Sequence, residues 1–176
     1  ISGVVMGTEQ INLIMHNTIY VPGHFHATVV AGTTLAFMAI TYLLVPLIFR
    51  REVMFKKIAQ WQPYVFGLGI AGISLFMMGA GTLGVPRRHW DITFADAFLM
   101  LALNGLSAIV AAIGGAMYII VVVCSVFLGR KIGDNEVVQL GPVSGAASAA
   151  AVARYGNEGT LKIPGTVVLV GVFFVS

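Results

Sequence analysis

The sequence predicts an all-α fold, a polytopic bundle of transmembrane helices, on three observations. Of 176 residues, 58% are hydrophobic and 10% charged, with a mean hydropathy of +0.93, whereas soluble domains carry about 25% charged residues. Three charge-free runs each exceed the roughly 20 residues that cross a hydrocarbon core. The basic residues gather in the short connections between those runs. Lipid offers no partner to an open sheet edge, so each run must be a helix.

The first run, Ala27 to Phe49, is preceded by Pro22 and Gly23. That pair makes a natural helix start, and the span is expected over about 22–49. Tyr64 to Val85 follows Pro63 and predicts a second span over 63–85. Ala97 to Gly129 predicts the longest, 97–129, with length to tilt or protrude. Ile163 opens a fourth run that is cut short, a truncated span from about 163. Residues 130–162, rich in Gly, Ala and Ser, read as a cytoplasmic linker with a short helix around Gly145 to Ala153.

Gly67, Gly69, Gly72, Gly79 and Gly81 in the second span, with Gly105, Gly114 and Gly115 in the third, suggest close helix packing. The general frequency of glycine in membrane helices accounts for most of them. Cys124 stands alone in an apolar run and reads as a packing residue. The chain begins at Ile1, has no basic region followed by an apolar leader, and ends at Ser176 inside an apolar stretch. The expectation is residues 1–176 as one C-terminal fragment of a longer membrane domain, or one chain of a split protein.

Ten Lys/Arg against seven Asp/Glu give a net charge of +3. "RREVMFKK" (Arg50 to Lys57) and "GRK" (Gly129 to Lys131) carry most of the excess. The positive-inside rule places both in the cytoplasm. This distribution suits a membrane and not nucleic acid, which needs a basic stripe on a folded surface. The start of the first span and the loop "GVPRRHWDITFAD" (Gly84 to Asp96) then share the opposite side. Arg87 and Arg88 run mildly against the rule there and need another explanation.

The chemistry is concentrated in "HNTIYVPGHFH", His16 to His26. An isolated membrane histidine is as often a packing residue as part of a site. On a helix, however, His24 and His26 point about 200° apart, so they cannot ligate one metal and can ligate two. Zinc wants several clustered ligands. Haem needs one axial imidazole per iron, since the porphyrin supplies the other four ligands. Haem propionates are anions near the membrane surface, and guanidinium forks bind carboxylates in a bidentate way. Arg87 and Arg88 alone read as interfacial anchors; with the histidine pair, they read better as propionate ligands.

"HNTIYVPGHFH" before a membrane span, with "VPRRHWDITFADAF" one helix later, resembles subunit I of the haem–copper terminal oxidases. The match is to their tenth helix and to the loop between their eleventh and twelfth, in a catalytic subunit of twelve or more helices. The "HNT" and "VPGHFH" spelling looks most like the B-type branch. The resemblance implies that His24 is the proximal ligand of the high-spin haem at the catalytic centre and His26 an axial ligand of the low-spin haem. It implies that Arg87 and Arg88 hold propionates and that His16 and Asn17 occupy the polar region above the high-spin haem. Asn12 stands where the family often has an acid, and His89, Ala95 and Phe98 where tyrosine, proline and tyrosine are common; Asp91 and Asp96 keep the pattern.

The resemblance further implies two haems, and copper at the binuclear centre with ligands outside this chain, since the four histidines are otherwise accounted for. It implies as partners the remaining helices of subunit I, subunit II with its electron-donor site, cytochrome c or quinol, and membrane lipid, in a prokaryotic plasma membrane. The expected activity of the complex is reduction of dioxygen to water coupled to proton translocation. The alternatives are a nitric oxide reductase of the same superfamily, with non-haem iron in place of copper, and a haem-free membrane scaffold or transporter.

Overall fold

In the computed structural model the described residues are 2–88 and 95–133, and their regular structure is helical. Two short helices open the chain, α1 (Ser2–Gly7) and α2 (Glu9–Met15). α3 (Tyr20–Phe25) continues without a break through a π-helical stretch, His26–Thr34, into α4 (Leu35–Ile48). α5 covers Lys56–Thr82 and α6 covers Phe98–Leu128 after a single 3-10 turn at Ala95–Ala97. Tyr20–Ile48, α5 and α6 are each long and apolar enough to cross a membrane. The chain is therefore an all-helical, multi-pass membrane protein. The side chains of residues 89–95, the chain from 134 onward and the span expected from 163 lie outside the described residues.

The helices differ from the sequence expectation at their polar ends. Ahead of Pro22 lies α2, which Glu9 opens with a charge favourable to the helix dipole; His16 follows it in a turn. α5 begins at Lys56 instead of near residue 63, so that Pro63 lies inside it. A charge-free window marks the hydrocarbon crossing, not the helix, which extends into the interface through Lys56, Lys57 and Gln60. There Trp61 and Tyr64 are both exposed and meet edge to face at 6.1 Å, as interfacial aromatics do.

The chain groups into a larger unit, Ile1–Ile40 with Phe55–Val121, and a smaller one, Thr41–Met54 with Val122–Ser176. In the larger unit α5 is the helix the others cover: 39% of its apolar window is buried, against 11% for the first span and 22% for α6. Two apolar clusters stack along it. One joins Ile19, Ala80, Val85 and Ala97; the other joins Met38, Phe66, Ile70 and Ala111. The helices approach at backbone distance. A Cβ on Gly69 would strike the Ala111 backbone, and one on Gly114 the Phe66 backbone, so α5 and α6 meet where side chains are missing. Gly105 and Gly115 have no such role. Gln62 is fully buried and donates its amide N–H to Met38 Sδ at 3.3 Å.

In the smaller unit the two basic connections pair with each other. Arg51 and Lys131 form an antiparallel bridge, in which Glu52 N–H donates to Arg130 O (3.0 Å) and Ile132 N–H to Arg50 O (2.7 Å). The Arg51 guanidinium donates to the carbonyls of Phe127 and Gly129, satisfying acceptors that the end of α6 leaves open. Ile132 packs on Leu43 and Leu47. The Arg130–Glu52 ion pair, 2.8 Å long and exposed, adds at most about 1 kcal/mol.

Gly69→Ala is expected to force the α5 and α6 backbones apart and cost about 1–3 kcal/mol, read as a lower thermal midpoint of the solubilised complex. Gly105→Ala, where the added methyl meets open space, is expected to stay within about 0.5 kcal/mol of wild type.

Candidate functional site

The two motifs singled out in the sequence are bonded to each other. Thr18 and Pro86 form an isolated antiparallel bridge, with Ile19 N–H donating to Val85 O at 2.9 Å and Arg87 N–H to Asn17 O at 2.8 Å. The bonds fall on the residues either side of the bridge, so Pro86 sits at the position whose missing N–H costs nothing. Val85 is fully buried, and Thr18, Ile19 and Tyr20 nearly so. The Thr18 hydroxyl donates to Met15 O at 2.9 Å and accepts from Tyr20 N–H at 3.3 Å, joining the end of α2 to the start of α3. Gly81 lets α5 close against the Tyr20 backbone just before the chain turns into the clasp.

The two imidazoles have separate partners. His26 Nδ1 lies 2.8 Å from the carbonyl of Pro22, one turn back. A carbonyl only accepts, so Nδ1 carries the proton and a neutral ring keeps its Nε2 lone pair free. His24 Nδ1 lies 2.9 Å from Ser2 Oγ on α1, and the edge of its ring lies 3.3 Å from where a Cβ on Gly3 would stand. A hydroxyl can donate or accept, so the tautomer of His24 follows from what its Nε2 meets. Both rings are half-buried, while Phe25 between them is exposed.

The π-helical stretch starts at His26. The Pro22 carbonyl accepts from the His26 ring and from the His26 backbone N–H, and the His24 carbonyl accepts from Thr28 Oγ1 at 3.1 Å. Phe25 and His26 keep α-helical angles (φ -62°, ψ -38°), so the step from His24 to His26 is that of a regular helix.

His16 and Asn17 are exposed and line one wall of a groove of about 540 Å³; Asn12 and Thr18 share that wall, and Gly84 and Pro86 form another. The clasp thus brings the segment carrying His16 and Asn17 against the one carrying Arg87 and Arg88. Both arginine side chains are exposed. Arg88 has a left-handed backbone (φ 63°), which turns the chain sharply after the bridge at a cost of about 1–2 kcal/mol. Among the described residues no three His, Cys, Asp or Glu side chains converge.

Two partners escaped the sequence reading. The Pro22 carbonyl, four residues before His26, could have been found from helix periodicity. Ser2, 22 residues from His24, left no signal at all.

Comparison with known proteins gives the family. Residues 1–132 match the family model described as cytochrome c and quinol oxidase polypeptide I. The chain is similar to cytochrome c oxidase subunit 1 of Thermus thermophilus, 28% identical over 123 residues that make up 66% of this chain and 22% of that one. Against cytochrome c oxidase polypeptide 1 of Halobacterium salinarum it is 33% identical over 89 residues, 51% of this chain and 15% of the other. Against a probable quinol oxidase subunit 1 of Staphylococcus aureus it is 26% identical over 140 residues, 77% and 21%. A heme-copper terminal oxidase solved as a dimer by cryo-EM superposes with a TM-score of 0.69 at 29% identity, over 75% of this chain and 24% of that one. The chain spans about a quarter or less of the length of these relatives. With its clasped motifs and three membrane spans, it belongs to the family of cytochrome c and quinol oxidase polypeptide I, subunit I of the haem–copper oxidases.

Proposed function

We propose that this chain carries the iron-ligating helix of a terminal oxidase catalytic subunit, with His24 the proximal ligand of a high-spin haem and His26 an axial ligand of a low-spin haem. The observation that carries the reading is the hydrogen bond from His26 Nδ1 to the Pro22 carbonyl. It leaves Nε2 as the metal-binding atom and raises the basicity of the ring, as the outer partners of metal-bound histidines do. Haem, if bound, would supply a redox-active iron, and His24 and His26 would each offer one iron an imidazole nitrogen.

His24 ligates through Nε2 only if its Nδ1 bears the proton. In that state Ser2 Oγ accepts, and Ser2 positions the ring from α1. Phe25 separates the two imidazoles by one residue and fixes the distance between their attachment points. Arg87 and Arg88 hold propionates from the far arm of the clasp, with His16 and Asn17 in the polar groove beside them. The first span keeps little of its apolar surface covered, which suits packing against the remaining helices of subunit I. Copper ligands belong to those helices.

In the assembled complex, with subunit II and with cytochrome c or quinol as donor, the reaction is reduction of dioxygen to water, coupled to proton translocation. The similarity to both cytochrome c and quinol oxidases of prokaryotes supports the activity and a plasma-membrane location. The "HNT" and "VPGHFH" spelling supports the B-type branch.

A reduced-minus-oxidised spectrum of the purified complex, with and without carbon monoxide, is expected to show two haems, one of which binds the gas. His24→Ala is expected to remove the carbon-monoxide-binding haem and His26→Ala the other; a complex with no haem bands contradicts the reading. Ser2→Ala is expected to weaken haem retention at His24 by about 10–100-fold, with a shifted iron–histidine stretch in the Raman spectrum and the low-spin haem unchanged. Metal analysis is expected to find copper beside the two haem irons; a third iron in its place would move the chain to the nitric oxide reductase branch.

A further inference from the structure

We infer that Gly23 on α3 and Gly81 on α5 are positioning residues, whose backbone contacts set how α3 is rotated on α5 and so where His24 and His26 point. A Cβ on Gly23 would stand 2.9 Å from the backbone nitrogen and the Cγ of Met78, and 3.0 Å from the Cβ of Met77. A Cβ on Gly81 would strike the backbone of Tyr20. The contact is reciprocal. Tyr20 and Gly23 lie one turn apart on α3, as Met78 and Gly81 do on α5, so the two helices meet at backbone distance twice within a turn. Tyr20 and Gly23 are both buried there.

Helix geometry converts this contact into ring directions. Phe25 and His26 keep regular helical angles, so each residue advances about 100° around the axis. With Gly23 against α5, His24 falls about 100° to one side, His26 about 60° to the other, and Phe25 nearly opposite. The surroundings agree: Phe25 is 56% exposed, and His24 meets Ser2 of α1 on its own flank. The two imidazoles straddle the line of contact, so one contact orients both.

Backbone against backbone leaves no rotamer to absorb an error. To bring an added methyl on Gly23 from 2.9 Å to the 3.5–4.0 Å of ordinary carbon contact, α3 must recede or turn by about half an ångström or more. Both ring attachment points move with it. Two other glycines lack this role. A Cβ on Gly32, further along the first span, meets open space. One on Gly79 of α5 meets the Met100 side chain of α6, with its Sδ nearest at 3.1 Å.

This role rests on the reading of His24 and His26 as iron ligands. The test compares alanine variants of the four glycines in the intact complex. Two signatures are read: the iron–histidine stretch of the carbon-monoxide-binding haem, and the electron paramagnetic resonance of the low-spin haem. Gly23→Ala and Gly81→Ala are expected to shift both signatures together, whereas Gly32→Ala and Gly79→Ala leave both in place. Cryo-EM maps of the first two variants are expected to show α3 displaced from Met78 while α5 keeps its seat on α6. Unchanged signatures in Gly23→Ala and Gly81→Ala, a shift of one haem alone, or equal shifts in all four variants would overturn the proposal. So would failure of only Gly23→Ala and Gly81→Ala to assemble, since the contact would then be structural. A wild-type complex without haem, with α3 still displaced in both variants, would overturn the iron-ligand reading and uphold the positioning of the rings.

Discussion

Two backbone hydrogen bonds, Ile19 to Val85 and Arg87 to Asn17, hold this structure's chemistry in one place. They are worth only about 0.5–1.5 kcal/mol each, but they act where α3 begins and α5 has just ended. Thr18 inside the bridge also bonds the end of α2 and the start of α3. One buried residue therefore fixes the helix that bears the imidazoles, the turn that bears His16 and the loop that bears the arginines. Backbone pairing suits this task better than side-chain contacts, because it fixes register as well as distance. Pro86 is tolerated because the register asks no N–H of it.

The clasp and the first turn of α3 are complementary constraints. The clasp sets where the first span starts; the bond from His26 Nδ1 to the Pro22 carbonyl sets how the ring lies against its own helix. The same carbonyl accepts the His26 backbone N–H, so the ring is oriented without breaking the ladder there. π-helical geometry follows over His26–Thr34.

Much of the fold was legible because hydrocarbon is a demanding solvent: charge-free runs and the Pro22–Gly23 start carry their own physical reason. The helix ends were not, since Lys56 to Gln62 is too polar to register as membrane although it is helical in the interface. The spacing of the histidine pair pointed to separate surroundings for the two rings, and their hydrogen-bond partners, Ser2 and the Pro22 carbonyl, do differ. Ser2 and the clasp were invisible for a different reason. They depend on contacts between segments far apart in sequence, Ser2 with His24 and residues 17–19 with 85–87, for which no local pattern exists. Glycine gave a partial signal: Gly69, Gly81 and Gly114 do mark backbone contact, and Gly105 does not.

The central claim, that the two motifs are fastened to each other, is open to a chemical measurement. Thr18 and Pro86 face each other at the non-hydrogen-bonded position of the bridge, where Cα atoms stand about 4.5 Å apart, within disulfide range. With Cys124→Ser as background, Thr18→Cys together with Pro86→Cys in the intact complex should oxidise to a disulfide, identified as a linked peptide pair by mass spectrometry, with the absorption spectrum of the complex unchanged. Two thiols that stay free and alkylate independently under oxidising conditions would contradict the account.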